Sequence, residues 1–272
     1  MINRAAPAAG RPAVALVTGA SSGIGEALAL CFARHGFRLV LVARSAERLE
    51  LLAARLRAEF GARTWVRPVD LGRRGAAHEL RADLKRRRIA VDVLVNNAGV
   101  LEAGAFSSLA PDARDAMIDL NVAGLTAMVS SFLPPMLARG HGRILNVASI
   151  AAFQPVPSLA VYAATKAYVL SLTESLAEEL TGTGVTVTAL CPGITATGML
   201  RDAVSKQPRL ARLPHVLVGD AEQVAAEGYR ACIEGDLIAV PGVVNQAAVV
   251  AGRATPKWLL RRITSRIVRK AM

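Results

Sequence analysis

Short, mostly apolar segments alternate with longer segments of helical periodicity along most of the chain. Ala13–Val17, Arg38–Val42 and Val185–Leu190 are examples of the first kind, and Ala46–Phe60, with leucines in helical spacing, is an example of the second. Strands that are apolar along their whole length are typical of parallel sheets, which helices cover on both faces. Because the alternation continues without a break in composition, it predicts a single α/β domain. The expected architecture is a doubly wound parallel sheet of about seven strands with right-handed crossovers.

The hydrophobic content is enough for a large core, and the N-terminal residues and the cysteines indicate the cellular location. Of the 272 residues, 53% are hydrophobic but only 4% are aromatic, so aliphatic side chains must fill the interior. Residues 1–12 lack the apolar stretch of a signal peptide, and no uninterrupted apolar run approaches the ~20 residues that cross a bilayer. Cys31, Cys191 and Cys232 are far apart and odd in number, which does not suit a disulfide framework. A cytoplasmic location is therefore expected.

The formal net charge of +12 admits two interpretations. It could attract an anion, such as a phosphorylated cofactor, an acidic membrane surface, an acyl carrier or nucleic acid. It could equally reflect arginine used as a solubilising surface residue, as expected for the run Arg86–Arg88 at a helix end. Nucleic acid is not an expected partner, because no basic run is interleaved with aromatic residues on which bases stack. The four histidines form neither a close pair nor an HExxH pattern, so no metal site is expected.

A glycine-rich turn follows the first predicted strand. It reads TGASSGIG over residues 18–25, and a helical stretch runs from about Gly23 to His35. Glycines at such a turn let the backbone approach a pyrophosphate, and the following helix presents unpaired N–H groups and the positive end of its dipole. Spaced glycines also occur in ordinary turns. The position of this turn at the first βα junction favours dinucleotide binding.

Further short motifs follow in a fixed order. They are Asp70 after the third strand, Asn96-Asn97-Ala98-Gly99 after the fourth, Asn121, Ser149, Tyr162 with Lys166, and Pro192-Gly193 with Thr197. Together with the TGxxxGxG spacing, this order resembles the short-chain dehydrogenase/reductase family over roughly Val14 to Gly242. The resemblance implies a Rossmann-like fold. It also implies reversible hydride transfer between a nicotinamide cofactor and a carbonyl or secondary alcohol.

The resemblance further implies which residues form the site. The catalytic residues would be Asn121, Ser149, Tyr162 and Lys166. The cofactor would be bound by Thr18, Gly19, Ser21, Ser22, Gly23, Ile24, Gly25, Arg44, Asp70, Leu71, Asn97, Ala98, Gly99, Tyr162, Lys166, Pro192, Gly193 and Thr197. Asp70 and the Ala98-Gly99 backbone would hold the adenine end of the cofactor and the neighbouring ribose. Lys166 would bind the nicotinamide ribose, and Thr197 would contact the nicotinamide carboxamide. Asn121 would position Lys166 through an ordered water.

The end of the second strand bears on the choice of cofactor. An acidic residue there would hydrogen-bond the ribose 2′-hydroxyl of NAD and repel a 2′-phosphate. The sequence instead reads VARS over residues 42–45, with no acid before Glu47. The guanidinium of Arg44 suits a phosphate, although an arginine at a strand end can also be merely solvated. We expect NADP(H) rather than NAD(H).

Tyr162 and Lys166 lie four positions apart on a predicted helix and therefore share one face. By themselves they could be a surface pair. A phenol with a pKa of about 10 exchanges protons poorly at neutral pH, and lowering the pKa to ~7 takes ~4 kcal/mol. An ammonium ~4 Å away at an effective dielectric of ~20 supplies about that much, so we expect Lys166 to lower the pKa of Tyr162. Ser149, predicted to end the fifth strand, would hold the substrate oxygen, although an isolated serine could also be a helix cap.

The segment 193–219 and the turn from Phe153 to Pro157 form the predicted substrate region. Apolar residues in the segment suggest an apolar pocket, unless they only pack a lid against the domain: Met199, Leu200, Leu210 and Leu213. The stretch Ala152–Pro157 resembles a bacterial branch of the family related to hydroxysteroid dehydrogenases and β-ketoacyl reductases. The expected substrate is therefore a lipophilic ketone, a secondary alcohol or a 3-oxoacyl thioester.

The predicted domain covers residues 13–245, between a flexible extension, 1–12, and a basic amphipathic extension, 246–272. Within the latter, Trp258–Met272 could lie on an anionic membrane surface or, as we favour, pack on the domain or on a second subunit. The family resemblance implies a homodimer or homotetramer that associates through the long helices around Asn121 and Tyr162. Two alternatives to an enzyme remain: a catalytically silent NADPH-binding sensor and a membrane-associated protein.

Overall fold

The computed structural model describes residues 12–195 and 219–254, which form one domain around a parallel sheet. The strands are β1 Val14–Thr18, β2 Arg38–Ala43, β3 Thr64–Pro68, β4 Val93–Asn96, β5 Gly142–Val147, β6 Val185–Leu190 and β7 Ile238–Ala239. The strand order across the sheet is β3-β2-β1-β4-β5-β6-β7. This arrangement confirms the predicted single-domain, doubly wound α/β fold.

Helices cover both faces of the sheet. They are α1 Gly23–Arg34, α2 Ala46–Phe60, α3 Ala76–Arg86, α4 Pro111–Ile118, α5 Leu125–Arg139, α6 Ala160–Glu179, α7 Ala221–Glu234 and α8 Val243–Ala254. Helices α1, α2 and α7 bury their apolar sides in one core, and α3, α5 and α6 bury theirs in a second core on the other face. The two cores explain why the chain needs so many aliphatic side chains.

The first strand shows how the sequence builds the two layers. Val14 and Leu16 belong to the core under α3, α5 and α6, whereas Ala15 and Val17 belong to the core under α1, α2 and α7. Successive side chains of a strand point to opposite faces, and here both faces are covered. This explains why the strand is an unbroken apolar run instead of alternating with polar residues.

The helical region before β5 differs from its prediction. The sequence predicts one helix over Asp112–Leu137, ending near Pro134, Pro135 and Gly140. In the structure a π-helical turn, Asp119–Gly124, joins α4 to α5, and α5 continues through both prolines. A proline removes a helical hydrogen bond without always ending a helix. The helix ends at Arg139, and Gly140, with a φ of +66°, is its C-cap, so the predicted end near Gly140 is confirmed.

The combined helical run Pro111–Arg139 is, within the described residues, one helix long and apolar enough to cross a membrane by length and composition. Its large apolar side chains Met117, Met128, Phe132 and Met136 are all buried in the domain. We therefore interpret the run as a core helix. Helix α8 is not predicted from the sequence, and it crosses the predicted boundary between the domain, which ends at residue 245, and the C-terminal extension, which begins at residue 246.

The centre of the sheet is the point where the strand order reverses. Strand β1 pairs with β2 on one side and with β4 on the other. In doubly wound sheets, ligands bind in the crevice at the carboxyl ends of the strands beside such a reversal. Residues 18–25 and 97–99 follow the carboxyl ends of β1 and β4, so the fold brings these two motifs to that crevice.

Candidate active site

The turn between β1 and α1 is closely packed against the loop after β4. Gly19 has a φ of +64°, and a Cβ there would lie 2.7 Å from Asn97 Nδ2. A Cβ on Gly25 would overlap both the Gly19 carbonyl oxygen and Asn97 Nδ2. Asn97 Nδ2 itself donates to the carbonyl oxygens of Thr18, at 3.0 Å, and Gly19, at 3.3 Å. These glycines are therefore needed to pack the turn against Asn97, in addition to any approach by a cofactor.

Thr18 connects the same two loops from the end of β1. Its Oγ1 accepts hydrogen bonds from the backbone N–H groups of Asn97, at 2.9 Å, and Ala98, at 3.0 Å. The same hydroxyl donates to the Val95 carbonyl oxygen at 3.1 Å. Because all three bonds use one buried hydroxyl, the backbone of residues 97 and 98 is held at a fixed distance from the glycine turn.

The N-terminus of α1 is available to bind an anion. Ser22 occupies the cap position in an extended conformation, and its side chain makes no capping hydrogen bond. The first N–H groups of a helix have no partner within the helix, and the helix dipole places partial positive charge there. Gly23, with a φ of +59°, begins the helix beside the half-buried Ser21 and Ile24. The turn thus fits the pyrophosphate of a dinucleotide.

Arg44 lies at the carboxyl edge of the sheet, directly after β2, and its side chain is exposed. The next residue, Ser45, caps α2 by accepting a hydrogen bond from the Arg48 backbone N–H at 3.4 Å. Arg44 therefore projects between a strand end and a helix N-terminus. This position suits contact with a phosphate on the adenine side of a dinucleotide.

Asp70 and Leu71 follow β3 but offer different groups to the crevice. Asp70 is exposed, and its Oδ1 accepts a hydrogen bond from the Gly72 backbone N–H at 2.9 Å. Leu71 is only 7% exposed, and its side chain belongs to the core under α3, α5 and α6. Of these two predicted cofactor residues, Asp70 can therefore contribute a side chain, whereas Leu71 can contribute only its backbone.

Ser149 and Tyr162 are brought together by a short 3-10 helix, Ile150–Phe153. Ser149 does not end β5 as predicted, but lies two residues beyond it and begins the 3-10 helix. Its Oγ accepts a hydrogen bond from the Ala151 backbone N–H at 3.1 Å. Tyr162 lies in the first turn of α6 and is hydrogen-bonded to the Ser149 side chain. The capping role and the contact with tyrosine thus belong to the same serine hydroxyl.

Lys166 lies one turn after Tyr162 on α6 and is only 5% exposed. Its Nζ donates to the Val147 carbonyl oxygen at 2.8 Å and lies 5.7 Å from the centroid of the Tyr162 ring. A Cβ on Gly99 would lie 3.5 Å from Lys166 Nζ and 3.1 Å from Asn121 Oδ1. Four predicted site residues, from three separate parts of the chain, therefore meet within a few ångströms.

The pKa of Tyr162 contradicts the expectation that Lys166 lowers it toward neutrality. Burial raises the pKa of Tyr162, and the hydrogen bond with Ser149 offsets only part of this effect. Burial also lowers the pKa of Lys166 to about 8. The sequence-based expectation counted the attraction of the ammonium but omitted the cost of removing a phenolate from water. The arrangement favours a protonated Tyr162 at neutral pH.

Asn121 lies in the π-helical turn and is 1% exposed. Its Oδ1 accepts from the Val100 backbone N–H at 2.9 Å, and its Nδ2 donates to the Val100 carbonyl oxygen at 2.9 Å. Nδ2 also donates to Thr165 Oγ1 at 3.2 Å. Asn121 therefore fixes the loop after β4 to α6, beside Lys166. Its predicted contact with Lys166 through a water stays a prediction.

The Pro192-Gly193 motif after β6 packs beside the Ser149 loop. The Pro192 carbonyl oxygen accepts a hydrogen bond from the Ile150 backbone N–H at 3.0 Å. A Cβ on Gly193 would lie 2.6 Å from the side-chain amide of Asn245, whose Nδ2 donates to the Pro241 carbonyl oxygen at 2.7 Å. Asn245 has no recognisable sequence motif, and sequence reasoning missed it at this edge of the site.

The predicted substrate segment is described only at its two ends. Thr195 and Gly219 form a parallel bridge, and the Gly219 backbone N–H donates to the Ile194 carbonyl oxygen at 2.7 Å. Thr197 and the apolar residues predicted to line the pocket lie outside the described residues. The segment therefore leaves and rejoins the domain at one place, beside Gly193.

Comparison with known proteins identifies the family. A sequence model of the family described as short chain dehydrogenase matches residues 13–208. This chain therefore belongs to the short-chain dehydrogenase family, which confirms the resemblance in its motifs. A relative described as uncharacterized oxidoreductase SSP0419, from Staphylococcus saprophyticus, is 38% identical over 189 residues, which cover 70% of this chain and 81% of the relative.

Solved structures of similar proteins agree with this assignment. A short-chain dehydrogenase from Sphingobium yanoikuyae in complex with NADPH has a TM-score of 0.78 at 33% identity, over 89% of this chain and 93% of its own. A 7beta-hydroxysteroid dehydrogenase has a TM-score of 0.83 at 25% identity, over 93% of this chain and 96% of its own. A short chain dehydrogenase/reductase from Burkholderia phymatum in complex with NAD has a TM-score of 0.80 at 28% identity, over 88% of this chain and 92% of its own.

Proposed function

We propose that this chain is an NADP(H)-dependent oxidoreductase that transfers a hydride between the nicotinamide and a carbonyl or secondary alcohol. The substrate would be a lipophilic ketone, a hydroxysteroid-like compound or a 3-oxoacyl derivative. The observation that carries the proposal is the meeting of Ser149, Tyr162 and Lys166 beside a glycine turn that fits a dinucleotide. A catalytically silent NADPH sensor, the main alternative, has no need for a hydrogen-bonded serine and tyrosine beside a buried lysine.

The cofactor would lie across the carboxyl ends of β1, β2 and β4. Backbone N–H groups at the start of α1 would hold the pyrophosphate, and Asp70 would bind at the adenine end. Arg44 supports NADP(H) over NAD(H), because its exposed guanidinium can form paired hydrogen bonds to a 2′-phosphate. The related structures include one with NADPH and one with NAD, so Arg44 is the feature on which this choice depends.

The bound nicotinamide would supply the hydride in reduction and accept it in oxidation. Tyr162 would donate its hydroxyl proton to the substrate oxygen, and Ser149 would hold that oxygen in line by a hydrogen bond. Because burial raises the pKa of Tyr162, the protonated phenol prevails at neutral pH, and this is the form that can donate a proton during carbonyl reduction. Lys166, oriented by the Val147 carbonyl oxygen, would bind the nicotinamide ribose, and Asn121 would hold α6 in place.

The proposal extends to assembly and location. A homodimer or homotetramer is supported by large apolar side chains that remain exposed on the helices around the site: Ile118, Leu137 and Tyr168. Association through these helices would remove them from water. A cytoplasmic location, the domain limits 13–245 and the extensions on either side remain proposals made from the sequence.

A steady-state assay tests the proposed activity. The purified chain is mixed with NADPH, or with NADH in parallel, and with a steroid ketone, a 3-oxoacyl thioester and a small aliphatic ketone. We expect oxidation of NADPH with at least one of the first two ketones and slower oxidation of NADH. Tight NADPH binding without turnover of any ketone would instead favour the silent sensor.

A further inference from the structure

Two adjoining cavities open at the amino ends of the strands, at the edge of the sheet opposite the candidate active site. The first, of about 210 Å³, lies between α3 and α5, and the second, of about 280 Å³, lies beside the starts of β1 and β2. Residues 88–90, which follow α3, line both cavities. The cavities are thus two parts of one concave surface.

This surface is strongly basic. Among the described residues, the two linings include seven basic side chains and no acidic one: Arg38, Arg63, Arg81, Lys85, Arg87, Arg88 and Arg139. The nearby Asp83 already pairs with Arg67, Arg86 and Arg87, and the 6% exposed Asp92 accepts a hydrogen bond from the Val14 backbone N–H. No ion pair joins Arg81, Lys85 or Arg88 to an acid within the described part of the chain. Their mutual repulsion would be relieved by an anion.

Several of these cations are held in position. The guanidinium of Arg63 lies 4.9 Å from the centroid of the Trp65 ring, and that of Arg81 lies 5.9 Å from the centroid of the Phe132 ring. Both rings belong to the cavity linings. Arg139 Nη2 donates to the Val91 carbonyl oxygen at 2.7 Å. Side chains fixed in this way lose less conformational freedom when they bind a ligand.

Arg88, one of the three residues common to both cavities, has a backbone conformation that normally favours glycine. Arg88 has a φ of +56° at the end of α3, where its N–H donates to the Lys85 carbonyl oxygen at 3.0 Å. The chain places glycine at the corresponding left-handed positions after α1, α2, α5 and α7: Gly36, Gly61, Gly140 and Gly235. An arginine here is unfavourable for the backbone, and such strain persists where another role requires the side chain.

We propose that this surface, defined by the linings of the two cavities, binds a small polyanion with two or more phosphoryl groups, and that Arg88 contacts it between the cavities. The seven basic side chains of the two linings favour a charged ligand over an apolar one. Arginine forks form paired hydrogen bonds with phosphate oxygens. The site is separate from the proposed cofactor site because it lies at the opposite ends of the strands.

Titration calorimetry with inorganic tripolyphosphate tests this proposal, with saturating NADP⁺ present to occupy the proposed cofactor site. We expect the wild type to bind and Arg88→Gly to bind at least about tenfold more weakly, since a charge-assisted hydrogen bond is lost. Glycine suits the backbone at this position, so the melting temperature of Arg88→Gly should be unchanged or higher. Weaker binding in a variant that is no less stable identifies Arg88 as a ligand-binding residue.

Two further variants complete the test. Lys85→Gln, at the edge of the first cavity, should also weaken binding, whereas Arg230→Gln removes the same charge from α7 outside both linings and should change affinity less than about twofold. Unchanged affinity in both Arg88→Gly and Lys85→Gln would overturn the proposal. The titration is repeated without NADP⁺, and binding of tripolyphosphate that appears only in its absence would also overturn the proposal, because the anion would then occupy the cofactor site.

A vesicle experiment distinguishes a soluble anion from a lipid headgroup carrying the same phosphate chemistry. Wild type and Arg88→Gly are sedimented with phosphatidylglycerol-containing vesicles and with phosphatidylcholine vesicles. We expect Arg88→Gly to leave sedimentation unchanged while it weakens binding of tripolyphosphate. Sedimentation that depends on Arg88, without binding of tripolyphosphate, would show that the surface meets a membrane and would overturn the proposed soluble ligand.

Discussion

At the scale of single residues, the phenolic oxygen of Tyr162 is the group on which the proposed chemistry depends. Tyr162→Phe removes this oxygen but keeps the ring, and general acid–base catalysis contributes ~10²–10⁴-fold, so kcat should fall by at least about 100-fold. The dissociation constant for NADPH, measured by fluorescence, should change little. Tyr168→Phe is the matched control, since Tyr168 is 39% exposed on the same helix and contacts Thr126. Retention of more than about half of kcat by Tyr162→Phe would contradict the assignment.

Arg44 is the residue on which the choice of cofactor depends. Arg44→Asp replaces a group that can bind a phosphate with one that repels it and can accept a hydrogen bond from a ribose hydroxyl. The ratio of kcat/KM for NADPH to kcat/KM for NADH should therefore reverse. Arg57→Asp makes the same change of charge at the other end of α2 and should leave the ratio unchanged. If the wild type already prefers NADH, Arg44 is only a surface residue.

Lys166 makes stability depend on pH in a defined direction. Its pKa falls to about 8 in the folded protein from an ordinary 10.5, so the folded state releases this proton at a lower pH than the unfolded state does. The free energy of unfolding therefore contains a contribution that rises with pH between about 8 and 10.5. Lys166→Met lacks this contribution. From pH 7 to pH 9.5, the wild type should gain ~2 kcal/mol relative to the variant.

Urea unfolding of both proteins at the two pH values measures this gain. Titrations of other groups largely cancel in the difference between wild type and variant, so the lysine is isolated. A stability difference that does not vary with pH would mean that Lys166 keeps its ordinary pKa in the folded protein. The lost hydrogen bond to Val147 affects stability at both pH values alike and does not enter the comparison.

The sequence predicts which residues meet at the candidate site, but not the environments in which the structure places them. Residues 18–25 and 97–99 come directly after apolar strands, and strand ends meet at one edge of a parallel sheet. The pKa of Tyr162, in contrast, depends on burial by distant parts of the chain, and this burial raises the pKa where the sequence predicts that it is lowered. Asn245 reaches Gly193 only because β7 returns the chain beside β6, and no local pattern indicates that contact.

At the scale of elements, periodicity predicts regular segments well and irregular ones poorly. The bounds of α2 and β6 are those that the apolar pattern predicts. The π-helical turn is different because tertiary contact shapes it. A Cβ on Gly124, at the end of this turn, would lie 2.5 Å from the Leu71 carbonyl oxygen. The turn that carries Asn121 therefore packs closely against the loop after β3. The local sequence does not indicate this contact.

The basic segment Lys257–Met272, which lies outside the described residues, gives a prediction at the same scale. We expect its deletion to lower the melting temperature or to dissociate the oligomer, because its apolar stripe has a large apolar body within reach. Thermal melts and size-exclusion chromatography of the truncated chain measure both effects. If the segment instead lies on a membrane, the truncated chain should keep its melting temperature and oligomeric state but no longer bind anionic vesicles. Added salt should weaken the binding of the full chain to those vesicles.

At the scale of the whole molecule, the order of the strands determines when the sheet can be completed during synthesis. Strand β1 can pair with β2 once both have left the ribosome, but its other edge pairs with β4, where Ala15 meets Val93. At ~5–20 residues per second, the ribosome needs roughly 4–16 s to make the intervening residues. Through this interval an apolar strand edge is open to pairing with a neighbouring chain.

Nascent chains stalled at different lengths should reveal this interval. Chains that end before residue 93 should be readily cleaved by protease within residues 12–68, whereas chains that extend well beyond β5 should be protected there. Equal protection at both lengths would mean that the first three strands are stable without β4. For a producer of this protein, the consequence is practical. Slower translation prolongs the exposed state, so aggregation depends on the speed of synthesis as well as on final stability.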